Sequence, residues 1–84
     1  MVKGLKTIHL QYFALLREER GLSSETIKTQ AQTALALYEE LKKRHGFNLS
    51  ANLLKVAIND EFQNWKTPLK SSDTVVFIPP VAGG

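Results

Sequence analysis

Cysteine is absent from this 84-residue sequence, which excludes disulfide bonds, thiolate metal sites and a cysteine nucleophile. No apolar run approaches the ~20 residues of a membrane-spanning helix, and the first residues lack the apolar core of a secretory signal. The two histidines, His9 and His45, have no second ligand at a spacing suited to a metal ion. We therefore expect a cytoplasmic protein that binds neither a membrane nor a metal.

The sequence also lacks a large excess of charge of either sign. Eleven basic and eight acidic residues give a net charge of +3, which is too small and too scattered to predict binding to nucleic acid. The densest basic run, residues 42–44, falls in the last turn of a predicted helix, where the helix dipole favours cations. No pair of carboxylates marks a catalytic cleft. The composition, 43% hydrophobic and 23% charged, is typical of one small folded domain.

The hydrophobic pattern predicts a sheet of four to five strands. Apolar and polar residues alternate from Leu5 to Tyr12, which is typical of a strand with one buried face. Residues 74–78 are apolar throughout, as expected of a central strand covered on both faces. The other strands are predicted at 25–29, at 54–58 and, very short, at 62–65.

One main helix is predicted over residues 33–45, because apolar residues recur there at helical spacing. Thr33 is suited to cap its start, and Gly46 to end it in a left-handed conformation. A shorter helical turn is expected over 14–20. In this order of elements the first and last strands pair in the middle of a mixed sheet, with the main helix on one face. The predicted fold is therefore α+β, of the β-grasp (ubiquitin-like) type.

The sequence closes on Pro79-Pro80-Val81-Ala82-Gly83-Gly84. Proline cannot donate to a sheet ladder, so the last strand should end there. We expect residues 1–80 to form the domain and residues 81–84 a flexible tail. Since glycine permits close backbone approach, such a tail can thread a channel that any Cβ would block. The reactive group would then be the α-carboxylate of Gly84 and not a side chain.

Four stretches carry a family resemblance. They are Tyr12-Phe13-Ala14-x-x-Arg17-Glu18, Val56-Ala57-Ile58-Asn59, Pro68-Leu69-x-x-x-Asp73-x-Val75-x-Phe77-Ile78-Pro79-Pro80 and Val81-Ala82-Gly83-Gly84. Together they span nearly the whole domain, whereas residues 22–50 match only in pattern. With these motifs the chain resembles the small subunits of molybdopterin synthase, a family of ubiquitin-like sulfur carriers.

The resemblance implies a mechanism in which the tail carries the chemistry. An activating enzyme related to ubiquitin E1 uses ATP to convert the Gly84 carboxylate into an acyl-adenylate, and a sulfur donor then displaces AMP to leave a thiocarboxylate. The tail enters the large synthase subunit, where the sulfur reacts with a cyclic pterin precursor of the molybdenum cofactor. The chain itself would bind no cofactor, would not be catalytic alone, and would assemble as two small subunits on a dimer of large ones.

The resemblance also implies a docking surface for both partners. In the family an apolar patch on the exposed sheet face contacts the large subunit and the activating enzyme, and the matching positions here are Phe13, Phe62 and Ile78. The alternating pattern agrees, because it places Phe13 on the polar side of the first strand, where an exposed apolar group often marks an interface. The alternative for Phe13 is ordinary packing on that face. Further partner contacts are implied for Arg17, Pro79, Pro80, Val81 and Ala82, with Gly83 next to the reactive residue.

Three other functions stay open on the sequence. Another β-grasp sulfur carrier, for thiamine or tRNA thiolation, would share the fold and the tail, although thiamine carriers are usually shorter. A ubiquitin-like protein modifier would form isopeptide bonds through Gly84. A plain interaction domain would have an incidental Gly-Gly end.

Overall fold

The computed structural model describes residues 4–80, which form a mixed five-stranded sheet with two helices. The elements are β1 (Lys6–Tyr12), α1 (Ala14–Arg20), β2 (Ser24–Thr29), α2 (Ala34–His45), a 3₁₀ turn (Ala51–Leu53), β3 (Lys55–Ile58), β4 (Glu61–Gln63) and β5 (Thr74–Ile78). Across the sheet the order is β2-β1-β5-β3-β4, and β1 and β5 run parallel side by side in its middle. The predicted β-grasp arrangement is confirmed.

The main helix, α2, begins and ends as its sequence predicts. The Thr33 hydroxyl accepts a hydrogen bond from the Ala36 amide at 3.1 Å, and Gly46, at φ 72°, donates its amide to the Lys42 carbonyl at 2.8 Å. None of the helices in residues 4–80 is long and apolar enough to cross a membrane. The buried side of α2 packs on one face of the sheet, and the core there contains Ile8, Leu10, Tyr12, Leu37, Tyr38, Leu41, Val56, Ile58, Val75 and Phe77.

The fourth strand differs from the prediction, since it covers Glu61–Gln63 and not 62–65. Asn59 and Asp60 both have positive φ, 53° and 71°, as the two-residue turn of a tight hairpin requires. That turn sets Glu61 opposite Ile58, so the strand begins one residue early. Trp65 then leaves the sheet and stacks on the core residue Phe77, with ring centroids 5.9 Å apart. The 3₁₀ turn was not predicted at all.

A partly buried polar network joins α1 to the β1–β2 hairpin. The Glu25 carboxylate accepts a hydrogen bond from the Tyr12 hydroxyl at 2.6 Å and two from the Arg20 guanidinium at 2.9 Å. The Arg20 hydrogen bonds hold the pKa of Glu25 below its usual value. His45, in the last turn of α2, has its Nε2 atom 3.9 Å from Glu25 Oε2 and without a hydrogen-bond partner in the described part of the chain. Burial lowers the pKa of His45, with nearby Arg20 acting in the same direction.

These two lowered pKa values predict that acid destabilises the fold. The unfolded chain takes up a proton on His45 near pH 6.5 and on Glu25 near about pH 4.3, whereas the folded chain resists both. The free energy of unfolding should therefore fall as the pH drops from about 7 to about 4. Urea unfolding followed by the fluorescence of Trp65, the single tryptophan, measures this. In His45→Gln the loss above about pH 5.5 should disappear; a slope as steep as in the wild type would exclude His45 as its source.

Glu25→Gln tests the strength of the polar network. The amide keeps the size of the side chain but removes the negative charge that accepts from Tyr12 and Arg20. We expect the free energy of unfolding to fall by about 2 kcal/mol, because charge-assisted hydrogen bonds become neutral ones in a half-buried site. Glu18→Gln is the matched control, since Glu18 is exposed on α1. Equal unfolding midpoints for the two variants would show that the network contributes nothing.

Candidate functional site

The sheet face that α2 leaves open divides into a polar half and an apolar half. Side chains alternate along each strand, and the register between strands shows which of them share this face. On β1 and β2 the open face carries Thr7, His9, Gln11, Ser24, Thr26 and Lys28. On β5, β3 and β4 it carries Thr74, Val76, Ile78, Lys55, Ala57 and Phe62.

The apolar half forms what we call the open-face patch, which consists of Phe13, Ala57, Phe62, Val76 and Ile78. Phe62 is 70% exposed and Phe13 is 48% exposed. Val76 and Ala57 are 8% and 9% exposed but lie outside the core cluster, and Ala57 pairs with Val76 on one side and Phe62 on the other. The patch therefore combines a shielded apolar floor with exposed aromatic side chains, and exposed apolar patches rich in aromatic residues are typical of protein-binding surfaces.

Phe13 is held in place by a strained turn at the end of β1. Its own backbone is extended, at φ −127° and ψ 154°, and it stands before the first residue of α1. Ala14 follows at φ 51°, in the left-handed region that costs a residue with a Cβ roughly 1–2 kcal/mol. The chain thus leaves the sheet directly after Phe13. Strain of this kind is common at functional sites.

The patch is continuous with the base of the tail. Tyr12 pairs with Phe77 in the parallel register, so the next residues, Phe13 and Ile78, follow at the same end of the central strands. Beyond Ile78, Pro79 is buried and Pro80 is exposed. A groove of about 270 Å³ lies beside them, lined by Leu53, Lys55, Ile78, Pro79 and Pro80. Ile78 belongs to both the patch and this groove, which we call the tail-base groove.

The structure brings together the three apolar positions that the sequence singled out, Phe13, Phe62 and Ile78, on or at the edge of one face. Arg17 is exposed on α1, and its carbonyl accepts the Gly21 amide at 2.8 Å where the helix ends. The predicted site residues Val81, Ala82, Gly83 and Gly84 lie outside the described residues. For all the site residues named in this paragraph, the roles as partner contacts or as the reactive group remain predictions.

Sequence reasoning missed four residues of this region: Leu53, Lys55, Ala57 and Val76. A signal for the last two was present, since alternation along β3 and β5 places Ala57 and Val76 on the face opposite the core. Lys55 follows the same alternation but is charged, so it gave no apolar signal. Leu53 lies in the 3₁₀ turn that the sequence did not predict.

Residues 4–80 present a surface suited to binding a partner, and they contain no cluster of catalytic groups. Within residues 4–80 no three His, Cys, Asp or Glu side chains are placed to hold a metal ion. His9, on the polar half of the open face, forms a hydrogen bond between its Nδ1 atom and the Thr26 hydroxyl at 3.0 Å. A cavity of about 250 Å³ beside it has a mixed lining, which consists of His9, Leu10, Gln11, Ser24, Glu25, Thr26 and Thr74. The open face can therefore bind a partner through its apolar side chains and the Lys55 ammonium.

Comparison with known proteins finds relatives that match this chain over nearly its whole length. The model of the ThiS family matches residues 10–84. The molybdopterin synthase sulfur carrier subunit of Haemophilus influenzae is 30% identical over 80 residues, which cover 92% of this chain and 99% of that protein.

Two solved structures extend the similarity to three dimensions. The putative molybdopterin converting factor subunit 1 from Pyrococcus furiosus superposes with a TM-score of 0.74 at 28% identity, covering 90% of this chain and 99% of that one. In Helicobacter pylori, a structure of the complex between subunits 1 and 2 of molybdopterin-converting factor contains a chain that matches with a TM-score of 0.62 at 26% identity. The match covers 93% of this chain and 99% of that one.

Proposed function

Because the chain belongs to the ThiS family, we propose that it is the sulfur carrier subunit of molybdopterin synthase, with Gly84 as the residue that carries the sulfur. Two findings support this. The relative that is 30% identical along nearly its whole length is a molybdopterin synthase sulfur carrier subunit. The family match also extends through Gly83 and Gly84, the residues that the chemistry requires.

The proposed reaction begins on a partner enzyme that holds ATP. A Gly84 carboxylate oxygen attacks the α-phosphorus, pyrophosphate leaves, and the resulting acyl-adenylate has a good leaving group. A sulfur donor attacks the acyl carbon and AMP departs, which leaves a thiocarboxylate. Its sulfur then attacks a carbon of the cyclic pterin precursor in the large subunit, and water cleaves the acyl–sulfur bond, so that the sulfur stays on the pterin and the Gly84 carboxylate is regenerated. Two such transfers build the dithiolene. This chain contributes the acyl group, and the acids, bases and phosphate contacts come from its partners.

The observation that carries the proposal is the continuity of the open-face patch with the tail base at Ile78. A partner seated on Phe13, Phe62 and Ile78 covers the point where the chain leaves the sheet. The four residues after Pro80 can span at most about 14 Å. The reacting group is therefore delivered close to the docking face. In Helicobacter pylori, subunit 1 of molybdopterin-converting factor forms a complex with subunit 2; we propose the same pairing here.

Reconstitution of the synthase tests this function. The carrier, charged with sulfur, is mixed with the large subunit from the same organism and the cyclic pterin precursor, and the conversion to molybdopterin is followed by chromatography. We expect product to form in proportion to the charged carrier. Absence of product with molybdopterin precursor, together with sulfur transfer in a thiazole or tRNA thiolation assay or isopeptide formation, would contradict the proposal.

A further inference from the structure

Lys55 places a positive charge between the open-face patch and the tail-base groove. It pairs with Ile78 across β3 and β5, and its side chain is exposed. The Nζ atom lies over the ring of Phe62, 5.8 Å from its centroid. The same side chain forms part of the wall of the groove beside Pro79 and Pro80. Any partner that covers the patch and the tail base must therefore also cover this ammonium.

The Lys55 ammonium has no anionic partner in the described part of the chain. The ion pairs of residues 4–80 involve Arg20, Arg44 and His45, and none reaches Lys55. Lys6 shows the contrast, since its Nζ donates to the Ala31 carbonyl at 3.3 Å. Among residues 4–80, the group that lies against the Lys55 ammonium is the face of the Phe62 ring.

Covering an unpaired ammonium is costly. The loss of its hydration costs more free energy than a cation–π contact with Phe62 returns. Binding of a purely apolar partner would consequently be weakened, because that partner would remove water from the Lys55 ammonium without supplying an anion. A partner that brings an anion gains instead, because a charge-assisted hydrogen bond strengthens where water is excluded.

We propose that the large subunit of molybdopterin synthase seats a carboxylate against Lys55 in the tail-base groove. This inference rests on the proposed function. The apolar walls from Leu53, Pro79 and Pro80 suit the methylene groups of an aspartate or glutamate, and the Lys55 ammonium suits its head. Lys55 lies opposite Ile78 on β5, so an ion pair at Lys55 also fixes the partner close to the point where the tail leaves the sheet.

The test measures binding of the large subunit from the same organism by titration calorimetry at several salt concentrations. Lys55→Met keeps the length and the apolar stem but removes the charge, and it should bind at least about tenfold more weakly, while Lys55→Glu should bind more weakly still. Salt should weaken wild-type binding and have little effect on Lys55→Met. Lys28→Met, on the polar half of the open face, is the matched control and should bind like the wild type.

The possible outcomes distinguish a failure of the Lys55 proposal from a failure of the proposed sulfur-carrier function. Restoration of Lys55→Glu binding by a lysine in place of one large-subunit carboxylate would establish the ion pair. Wild-type binding that Lys55→Met leaves unchanged, with the same salt response as Lys28→Met, would overturn the role of Lys55 alone. Failure of the wild type to bind the large subunit would overturn both proposals. Urea midpoints read from Trp65 fluorescence confirm that each variant is folded.

Discussion

Deletion of Gly84 is expected to abolish molybdopterin synthesis while leaving the domain folded and able to dock. The acyl group would then sit on Gly83, about 3.5 Å short of its position in the intact chain. Reacting atoms need to approach within about 3–3.5 Å in a defined orientation, and a displacement of 1 Å can cost about a hundredfold in rate. A shift by a whole residue should therefore reduce the rate by more than about a hundredfold.

The rate of precursor conversion by the reconstituted synthase measures this effect. Docking and folding serve as internal controls, because the deletion removes no residue of the open-face patch and leaves the folded domain and Trp65 intact in sequence. We expect the truncated chain to bind the large subunit as tightly as the wild type does, within a few-fold. Activity above about a tenth of the wild-type rate would show that the Gly84 acyl group is not the sulfur-carrying group.

Phe13→Asp is expected to weaken binding of the large subunit about a hundredfold, which corresponds to about 2.7 kcal/mol. Aromatic residues are frequent hot spots of interfaces, and an aspartate at position 13 would bring a charge into an apolar contact. Free Phe13 is 48% exposed, so its replacement should change the free energy of unfolding little.

Leu15→Asp is the matched control for Phe13. It is a comparable change in an apolar side chain two residues away, 51% exposed but on α1 and not on the sheet face. Titration of the large subunit with both variants should separate them clearly, with Leu15→Asp close to the wild type. Equal affinities for the two variants would remove Phe13 from the docking surface.

The sequence was informative wherever one residue pattern decides a structure. Alternation in β1 placed Phe13 on the open face, because it depends only on which face is buried. The run of residues 74–78 correctly predicted the central strand, but the expected cover on both faces was wrong, since Val76 and Ile78 lie on the face that α2 leaves open. Thr33 and Gly46 marked the ends of α2 since caps act within one turn. The docking role of Phe13, Phe62 and Ile78 came from the family resemblance and not from local pattern, and it stays a prediction.

The remaining features depend on contacts between distant elements. The network of Tyr12, Arg20 and Glu25 joins three elements, and no single stretch of sequence encodes it. The position of Lys55 over Phe62 follows from the register that the Asn59–Asp60 turn sets between β3 and β4. Trp65 was expected in a strand, but the strand ends two residues earlier, at Gln63, and Trp65 instead makes a tertiary contact by stacking on Phe77.

The most direct test of the sulfur-carrier function is the intact mass of the protein after incubation with its activating enzyme, ATP and a sulfur source. We predict an increase equal to the difference between one sulfur and one oxygen atom, dependent on ATP. Trypsin should place the change in the peptide that follows Lys70, residues 71–84, because no lysine or arginine occurs after that residue. An unchanged mass, or sulfur in any other peptide, would contradict the account.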